Sequence, residues 1–285
     1  MLTSHVPAYR EFTVAKRSGG PRKICAPAPA TRELQRTINR RLLRGLSAHP
    51  CATGFERGHS IVTNASVHVG KAVVLKMDVK DFFNSTDAGR VCNYFRAIGW
   101  NHETAEMLTK LCTHDGSLPQ GAPTSPRLSN LVNHALDARL AGVAKSPYVA
   151  QQNPKTLERI SRPPVPSLSV AYTRYADDIT FSLSADDHHV VQSLIFLTKM
   201  ILADYGYKLH QNRKLVIRRQ HQSQRVTGLV VNHRIQLPRH TRRMLRAAEH
   251  HLVNGRPATL DEAQLAGWRA VQHMIDTQAP DTERT

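Results

Sequence analysis

Four residues, Tyr175-Ala176-Asp177-Asp178, constrain the fold of this chain most tightly. They sit between an extended run, Val170-Ala171-Tyr172-Thr173, and an alternating one, Ile179-Thr180-Phe181-Ser182-Leu183. β-Branched and aromatic residues on both sides of a short polar break predict a tight β-hairpin with carboxylates at its tip. Two carboxylates forced together repel, and each raises the pKa of the other unless a cation neutralises them. Mg²⁺ is suited to that role because it takes oxygen ligands and bridges to substrate phosphates. The tip is therefore a candidate metal site for phosphoryl transfer. A solvated Asp-Asp turn has the same local signature, so the rest of the chain has to decide.

Asp78 is the second piece of chemistry. The run Ala72-Val73-Val74-Leu75-Lys76-Met77-Asp78-Val79 reads as a short buried strand ending in an acid, and Asp81-Phe82-Phe83 follows it. A carboxylate at a strand end, combined with a distant Asp-Asp hairpin, is the ligand pattern of a two-metal nucleotidyl-transfer site. Asp81 is open between a ligand role and a structural or solvated one.

Other elements can be placed around these. Arg10–Ala15 and Arg22–Cys25 flank Ser18-Gly19-Gly20-Pro21, a hairpin with a basic loop. Thr31 to Leu46 has helical periodicity, with Leu34, Ile38, Leu42 and Leu46 on one face and Arg32, Arg36, Arg40, Arg41 and Arg44 on the other. Solvation and phosphate contact both account for that arginine face. Ser125-Pro126 predicts a helix start with Ser125 as N-cap, followed by a stripe of Leu128, Leu131, Val132, Leu136 and Leu140. Asp186 to Tyr205 predicts a second long helix with Gly206 at its C-terminal end. Strands are expected at Tyr207-Lys208-Leu209 and from Arg225 to Asn232. Two helices broken at Asn254-Gly255-Arg256-Pro257 are expected over 240–276. The stretch 144–169 contains five prolines and reads as a surface insertion. Strands and helices without regular βαβ alternation indicate an α+β fold.

Charge indicates the kind of partner. The 285 residues carry a formal net charge of +17, unevenly distributed. Residues 1–46 hold ten Lys/Arg against two acids, and residues 207–256 hold twelve against one, Glu249. A near-neutral body with basic ends suits a protein that grips a polyanion such as nucleic acid. The four cysteines, Cys25, Cys51, Cys92 and Cys112, form no CxxC pair. Neither zinc ligation nor a disulfide framework is indicated, and a reduced cytoplasmic setting is expected. No signal peptide or membrane span is expected.

Taken in order, three segments resemble the palm motifs of reverse transcriptases: Asp78-Val79-Lys80-Asp81-Phe82-Phe83, then Leu118-Pro119-Gln120-Gly121-Ala122-Pro123-Thr124-Ser125-Pro126, then Tyr175-Ala176-Asp177-Asp178. Arg22-Lys23-Ile24 with Pro27 resembles the fingers motif, and Asn212-Arg213-Lys214 resembles the lysine-bearing motif after the palm helix. Two further matches point to the retron branch of that family. Asn64-Ala65-Ser66-Val67-His68 fits its Asn-Ala-x-x-His signature, and Val226-Thr227-Gly228 fits its Val-Thr-Gly signature. The segment from Gly54 to Ile61 is also similar to retron enzymes. The resemblance covers about residues 9–276.

That resemblance implies a right-hand polymerase fold. Fingers would span 1–70, with 85–125 returning between fingers and palm; palm would span 71–238 with the insertion 144–169; a short helical thumb would span 239–285. It implies that Asp78, Asp177 and Asp178 hold two Mg²⁺ ions, with Mn²⁺ as a possible substitute. Arg22 and Lys23 would bind the dNTP triphosphate by charge-assisted hydrogen bonds. Phe83 would exclude a ribose 2′-OH, Gln120 would contact the nascent base pair, and Gly121 would allow close backbone approach. Lys214 would protonate or neutralise the pyrophosphate leaving group, and Tyr175 would pack beneath the primer end. Asn64, His68, Val226, Thr227 and Gly228 would recognise RNA; for Asn64 and His68 a local structural role is equally compatible with the sequence.

The implied activity is RNA-directed DNA synthesis. Part of a cognate structured noncoding RNA would be copied into single-stranded DNA joined to it by a 2′-5′ branch. The implied biological role is antiphage defence, with a separately encoded effector protein and no membrane partner. A group II intron-like or abortive-infection enzyme, or an inactive RNA-binding scaffold, is the alternative. The chain begins near the fingers hairpin, where many retron enzymes have further helices, and no effector motif follows the thumb.

Overall fold

A four-stranded antiparallel sheet lies at the centre of the computed structural model, which describes residues 8–15, 19–146, 168–210 and 215–280. Its strands are β3 (Val73–Asp78), β4 (Val170–Tyr175), β5 (Asp178–Leu183) and β6 (Val216–Arg219), in the order β4-β5-β3-β6. Strand periodicity divides its residues cleanly between two faces. Val73, Leu75 and Met77 of β3 share a face with Ile179, Phe181 and Leu183 of β5 and with Tyr172 of β4, and all are buried. That face packs on helices α6 (His134–Lys145) and α7 (His188–Asp204) to form the largest apolar cluster. The opposite face carries Lys76, Asp78, Asp178, Thr180, Ser182 and Thr173 and is polar.

α7 begins where the sequence predicts. The Asp187 carboxylate accepts from the backbone N–H groups of His189 and Val190, and Gly206 follows the helix with φ 76°. A second apolar cluster joins α1 (Pro29–Arg41), α3 (Ala88–Ala97), α4 (His102–Cys112) and α5 (Ser125–Val132). The expected hairpin is β1–β2 (Tyr9–Ala15 and Pro21–Pro27), with Thr13 opposite Lys23 and Val14 opposite Arg22. A third cluster joins α2 (Ile61–Ser66), the hairpin β7–β8 (Arg225–Val226 and Leu229–Val230), α8 (Arg239–Val253) and α9 (Glu262–Gln278). Strand-bearing and helical layers are thus combined in an α+β fold.

Several expectations need correction. The helix after Pro29 ends at Arg41 and passes into a single 3-10 turn, Leu43–Gly45. Its buried face is Thr31, Gln35 and Ile38, whereas Leu34 is 37% exposed. Gln35 tolerates burial because its amide donates to the Tyr9 hydroxyl and the Leu111 carbonyl. The helix expected from Ser125 through Leu140 is two helices that meet at Asn133, and its N-cap is Thr124. Ser125 instead points inward and donates its hydroxyl to the Pro119 carbonyl. Asn133 breaks the run because its side chain is engaged by Ser129, Tyr207 and Arg90. Tyr207–Leu209 forms one isolated bridge, Leu209 to Val79, while β6 was not anticipated. Arg225 to Asn232 is a hairpin whose turn, Thr227 (φ 46°) and Gly228 (φ 87°), is left-handed at both positions.

The four cysteines are free thiols, and burial pushes Cys112 up to about 12. Among the described residues, no helix is long and apolar enough to cross a membrane.

Candidate active site

The β4–β5 hairpin is as tight as the sequence predicts. Tyr175 pairs with Asp178, and only Ala176 and Asp177 lie between them. Ala176 takes φ 57°, which costs an L-residue about 1–2 kcal/mol. Neighbours hold it there. Arg174 Nη1 donates to the Ala176 carbonyl at 3.0 Å. On the outside of the turn, Gly54 lies so close that a Cβ would sit 2.6 Å from the Ala176 nitrogen. That contact, rather than an unusual φ, is what requires glycine at 54.

The register of β3 against β5 sets Asp78 directly opposite Asp178, and the Val79 N–H donates to the Asp177 carbonyl at 2.9 Å. Three aspartates are thereby brought together in the backbone at one end of the polar sheet face. Lys76 Nζ lies 3.9 Å from Asp178 Oδ2, and His210 Nε2 lies 3.5 Å from Asp78 Oδ1. Like charges directly opposite in a sheet are destabilising. An all-oxygen donor set of this kind fits hard divalent cations such as Mg²⁺ or Mn²⁺.

A buried polar network braces the hairpin from the core side. Arg174 is 1% exposed and grips Asp137 with two hydrogen bonds, Nε to Oδ1 at 2.8 Å and Nη2 to Oδ2 at 2.6 Å. Tyr172 donates to the same carboxylate, and Arg174 Nη1 also donates to Asn130. Asn130 donates onward to the Gly54 carbonyl and to Glu56, which pairs with Arg127. Burial opposes the charge on Arg174, but the Asp137 carboxylate outweighs it and holds the guanidinium pKa above its ordinary value. Sequence reading assigned no role to Arg174, Asp137 or Asn130. The signals were a charged residue inside an apolar strand and two polar residues seven apart on a buried helical stripe.

In front of the turn lies a cleft of about 490 Å³ whose lining includes Arg22, Phe83, Gln120, Asp177, Asp81 and His210. The Cys25 N–H donates to the Gln120 carbonyl at 2.8 Å, tying the fingers hairpin to the Gln120-Gly121 loop. Gly121 has φ 131°, and a Cβ there would meet the Cys25 carbonyl at 2.9 Å. The close approach expected at Gly121 is thus made to the fingers strand. Phe82 is buried, and Phe83 is half-buried facing the cleft. Phe55 sits 6.3 Å from both Phe83 and Tyr175 and completes an aromatic row that the sequence did not single out.

Lys23 is separated from Arg22. Adjacent strand residues point to opposite faces, and Lys23 turns away to pair with Glu11 at 2.8 Å. The arginine face of α1 does border a groove. Arg36, Arg40 and Arg44 line a cavity of about 590 Å³ that shares Phe55 with the cleft. Lys214, with Asn212 and Arg213, lies outside the described residues, as do residues 147–167 of the insertion.

Asn64 and His68 are each 0% exposed, which favours the local structural role over direct RNA contact of the two that the sequence left open. The Asn64 carbonyl oxygen accepts from the Thr53 hydroxyl. His68 Nδ1 is 2.7 Å from Ser182 Oγ, and Nε2 is 2.8 Å from Thr173 Oγ1. Burial first, and then Lys71 and Lys76, lower its pKa to about 3, so the ring is neutral. Val226 is likewise buried, while Thr227 donates its hydroxyl to the Ile61 carbonyl and Gly228 is exposed. The two signatures therefore meet: the α2 helix bearing Asn64 and the Val226-Thr227-Gly228 turn pack in one cluster with Ile275 of α9.

Residues 14–231 match the family model described as reverse transcriptase (RNA-dependent DNA polymerase). The chain is 32% identical over 276 residues to the retron Ec86 reverse transcriptase of Escherichia coli, covering 95% of this chain and 78% of that protein. The chain belongs to the retron reverse transcriptases. It is 35% identical to the retron Mx65 reverse transcriptase of Myxococcus xanthus, over 95% of this chain and 62% of that one. This retron reverse transcriptase also shares its fold with telomerase from Candida albicans, at a TM-score of 0.53 and 10% identity. That likeness covers 84% of this chain and 46% of the telomerase. The chain is accordingly an RNA-directed DNA polymerase, and its family uses divalent metal ions.

Proposed function

We propose that this reverse transcriptase copies part of one cognate structured noncoding RNA into single-stranded DNA. It starts from the 2′-OH of a guanosine in that RNA and leaves a 2′-5′ branched hybrid. The observation that carries the reading is the register that sets Asp78 opposite Asp178, beside a cleft holding Arg22, Phe83 and Gln120.

Asp78, Asp177 and Asp178 would hold two divalent ions, Mg²⁺ or Mn²⁺. When bound, these supply an activated priming hydroxyl and neutralise charge on the triphosphate. The protein's own contribution is positioning. Arg22 reaches from β2 toward the triphosphate of a dNTP, supported by Gln120 and Gly121 through the Cys25 hydrogen bond. Phe83, which lines the cleft, would exclude a ribose 2′-OH. Tyr175 and Phe55 form an apolar shelf for the primer end. Lys214 is assigned to the leaving pyrophosphate from the sequence motif alone. Lys23 reaches a phosphate only after leaving Glu11.

The three apolar clusters support a division into fingers (1–70 with 85–125), palm (71–238) and thumb (239–285), with α2 docked on the palm and thumb. The basic groove on α1 offers the template a phosphate-binding wall. Because they are buried, Asn64 would serve RNA recognition by shaping α2 and His68 by bracing the β4–β5 hairpin, while the exposed Gly228 turn would be the point of contact. Antiphage defence with a separately encoded effector in the cytoplasm completes the reading.

Nucleic acid copurifying with the protein, expressed with its flanking genomic DNA, tests this directly. A species sensitive to both RNase and DNase, with a 2′-5′ branch, is expected. Recovery of only unbranched RNA contradicts the reading.

A further inference from the structure

The polar face of the central sheet holds a second cleft, on the other side of the carboxylates from the nucleotide cleft. Residues after Asp78 in the chain, Val79 and Asp81 to Asn84, border the nucleotide cleft, whereas residues before it, Val74 and Lys76, border the second. Opposite Lys76 and Val74, β6 places Val216 and Arg218, and the chain then turns through Gln222 and Ser223 to Arg225. The enclosed volume is about 450 Å³.

Its lining is one-sided in charge. Lys76, Arg218 and Arg225 border it, and among the described residues no carboxylate does. Lys76 has its nearest acid, Asp178, at 3.9 Å. Arg225 donates only to the Ser223 hydroxyl, at 3.4 Å, among the described residues. The wall is rigid. Gln224 is fully buried and donates to the carbonyls of Lys71, Ala72 and Arg218, and Asn232 donates to those of Gln220 and Gln222. Cations set on one concave wall repel one another until an anion enters, and a phosphodiester suits guanidinium donors.

Lys76 lies two residues from Asp78, about 7 Å along the strand, so the anion sits beside the priming nucleotide. A nucleotide that primes through its 2′-oxygen keeps its own 3′-phosphate and the RNA strand beyond it. That strand has to leave the site while DNA grows from the 2′ position. A primer that ends in a 3′-OH has no such arm.

We propose that the Lys76–Arg218–Arg225 cleft binds the phosphodiesters of the RNA arm that continues 3′ from the branched priming nucleotide. The proposal rests on the 2′-OH priming reading. The test uses the full chain and two synthetic primers on one RNA template. One is a linear DNA primer ending in a 3′-OH. The other carries the same DNA joined 2′-5′ to a guanosine that continues 3′ into RNA.

For Arg218→Ala with Arg225→Ala, extension of the branched primer should fall on the order of tenfold or more. Extension of the linear primer should stay within about twofold, which also shows that the variant folds. Arg218→Lys with Arg225→Lys should restore most of the branched-primer activity. Equal loss on both primers would mean a general strand grip and would overturn the proposal, as would no loss on either. A wild-type enzyme that extends the linear primer and refuses the branched one contradicts the 2′-OH priming reading itself.

Discussion

His68 spans the two strands of the Asp-Asp hairpin, with Nδ1 2.7 Å from Ser182 Oγ and Nε2 2.8 Å from Thr173 Oγ1. The neutral ring donates at one nitrogen and accepts at the other, and each hydroxyl can take either role. Of the two roles the sequence left open for this signature residue, RNA contact and local structure, its contacts favour a strut between the hairpin strands. His68→Ala leaves both hydroxyls buried and unpaired, at a cost of about 2–4 kcal/mol for the two, measurable by urea unfolding. DNA synthesis should fall with the loss of hairpin alignment. His68→Gln should recover part of both.

The same residue gives a pH dependence with a defined sign. Its pKa is lowered from 6.5 to about 3 in the folded chain, so the unfolded chain binds more protons between those values. The stability that depends on neutral His68 is complete above pH 6.5 and is lost as pH falls through that window. The loss at pH 5.5 is roughly 1.4 kcal/mol. Unfolding midpoints at pH 7.5 and 5.5 should converge in His68→Gln relative to the wild-type chain; an unchanged difference would exclude His68 as its source.

Gly54 predicts a separable effect on turnover. A Cβ at that position would meet the Ala176 nitrogen at 2.6 Å, so Gly54→Ala must displace the turn that carries Asp177. Displacement near reacting groups lowers the chemical step steeply, on the order of 10²-fold for about 1 Å. Single-turnover incorporation should drop with little change in dNTP affinity, because Arg22 and Gln120 are untouched.

Phe83 governs sugar selection. Phe83→Val opens the space beside the cleft, and ribonucleotide incorporation relative to deoxyribonucleotide should rise by about 10- to 100-fold. The two nucleotide classes compared on one primer–template give the ratio. A ratio that does not move would return Phe83 to a packing role.

The parts of the site that follow from local rules were legible in the sequence. The Tyr175–Asp178 hairpin is marked by its flanking β-residues, and the three-motif resemblance implied that Asp78 meets that hairpin, though not the register that sets it opposite Asp178. Long-range buried polar contacts were not legible. Nothing local to Arg174, Asp137 or Asn130 says that they meet, because 37 and 44 residues separate Arg174 from its two partners. The burial of Asn64 and His68 was hidden for the same reason, since their partners are hydroxyls on strands over 100 residues away in the case of His68. The break at Asn133 was invisible because Tyr207 and Arg90 supply its partners. Helical periodicity misplaced Leu34 because the buried stripe of α1 is centred on Gln35, a polar residue satisfied by Tyr9 and Leu111.

The central claim is that Asp78, Asp177 and Asp178 carry the chemistry. The most direct measurement is Mg²⁺-dependent dNTP incorporation on a primed RNA template by Asp177→Asn with Asp178→Asn, alongside thermal unfolding of the same protein. Loss of synthesis to background with a folded chain is expected, because both substitutions are nearly isosteric and sit at a half-buried hairpin tip rather than in the core. Undiminished synthesis by the double variant would contradict it.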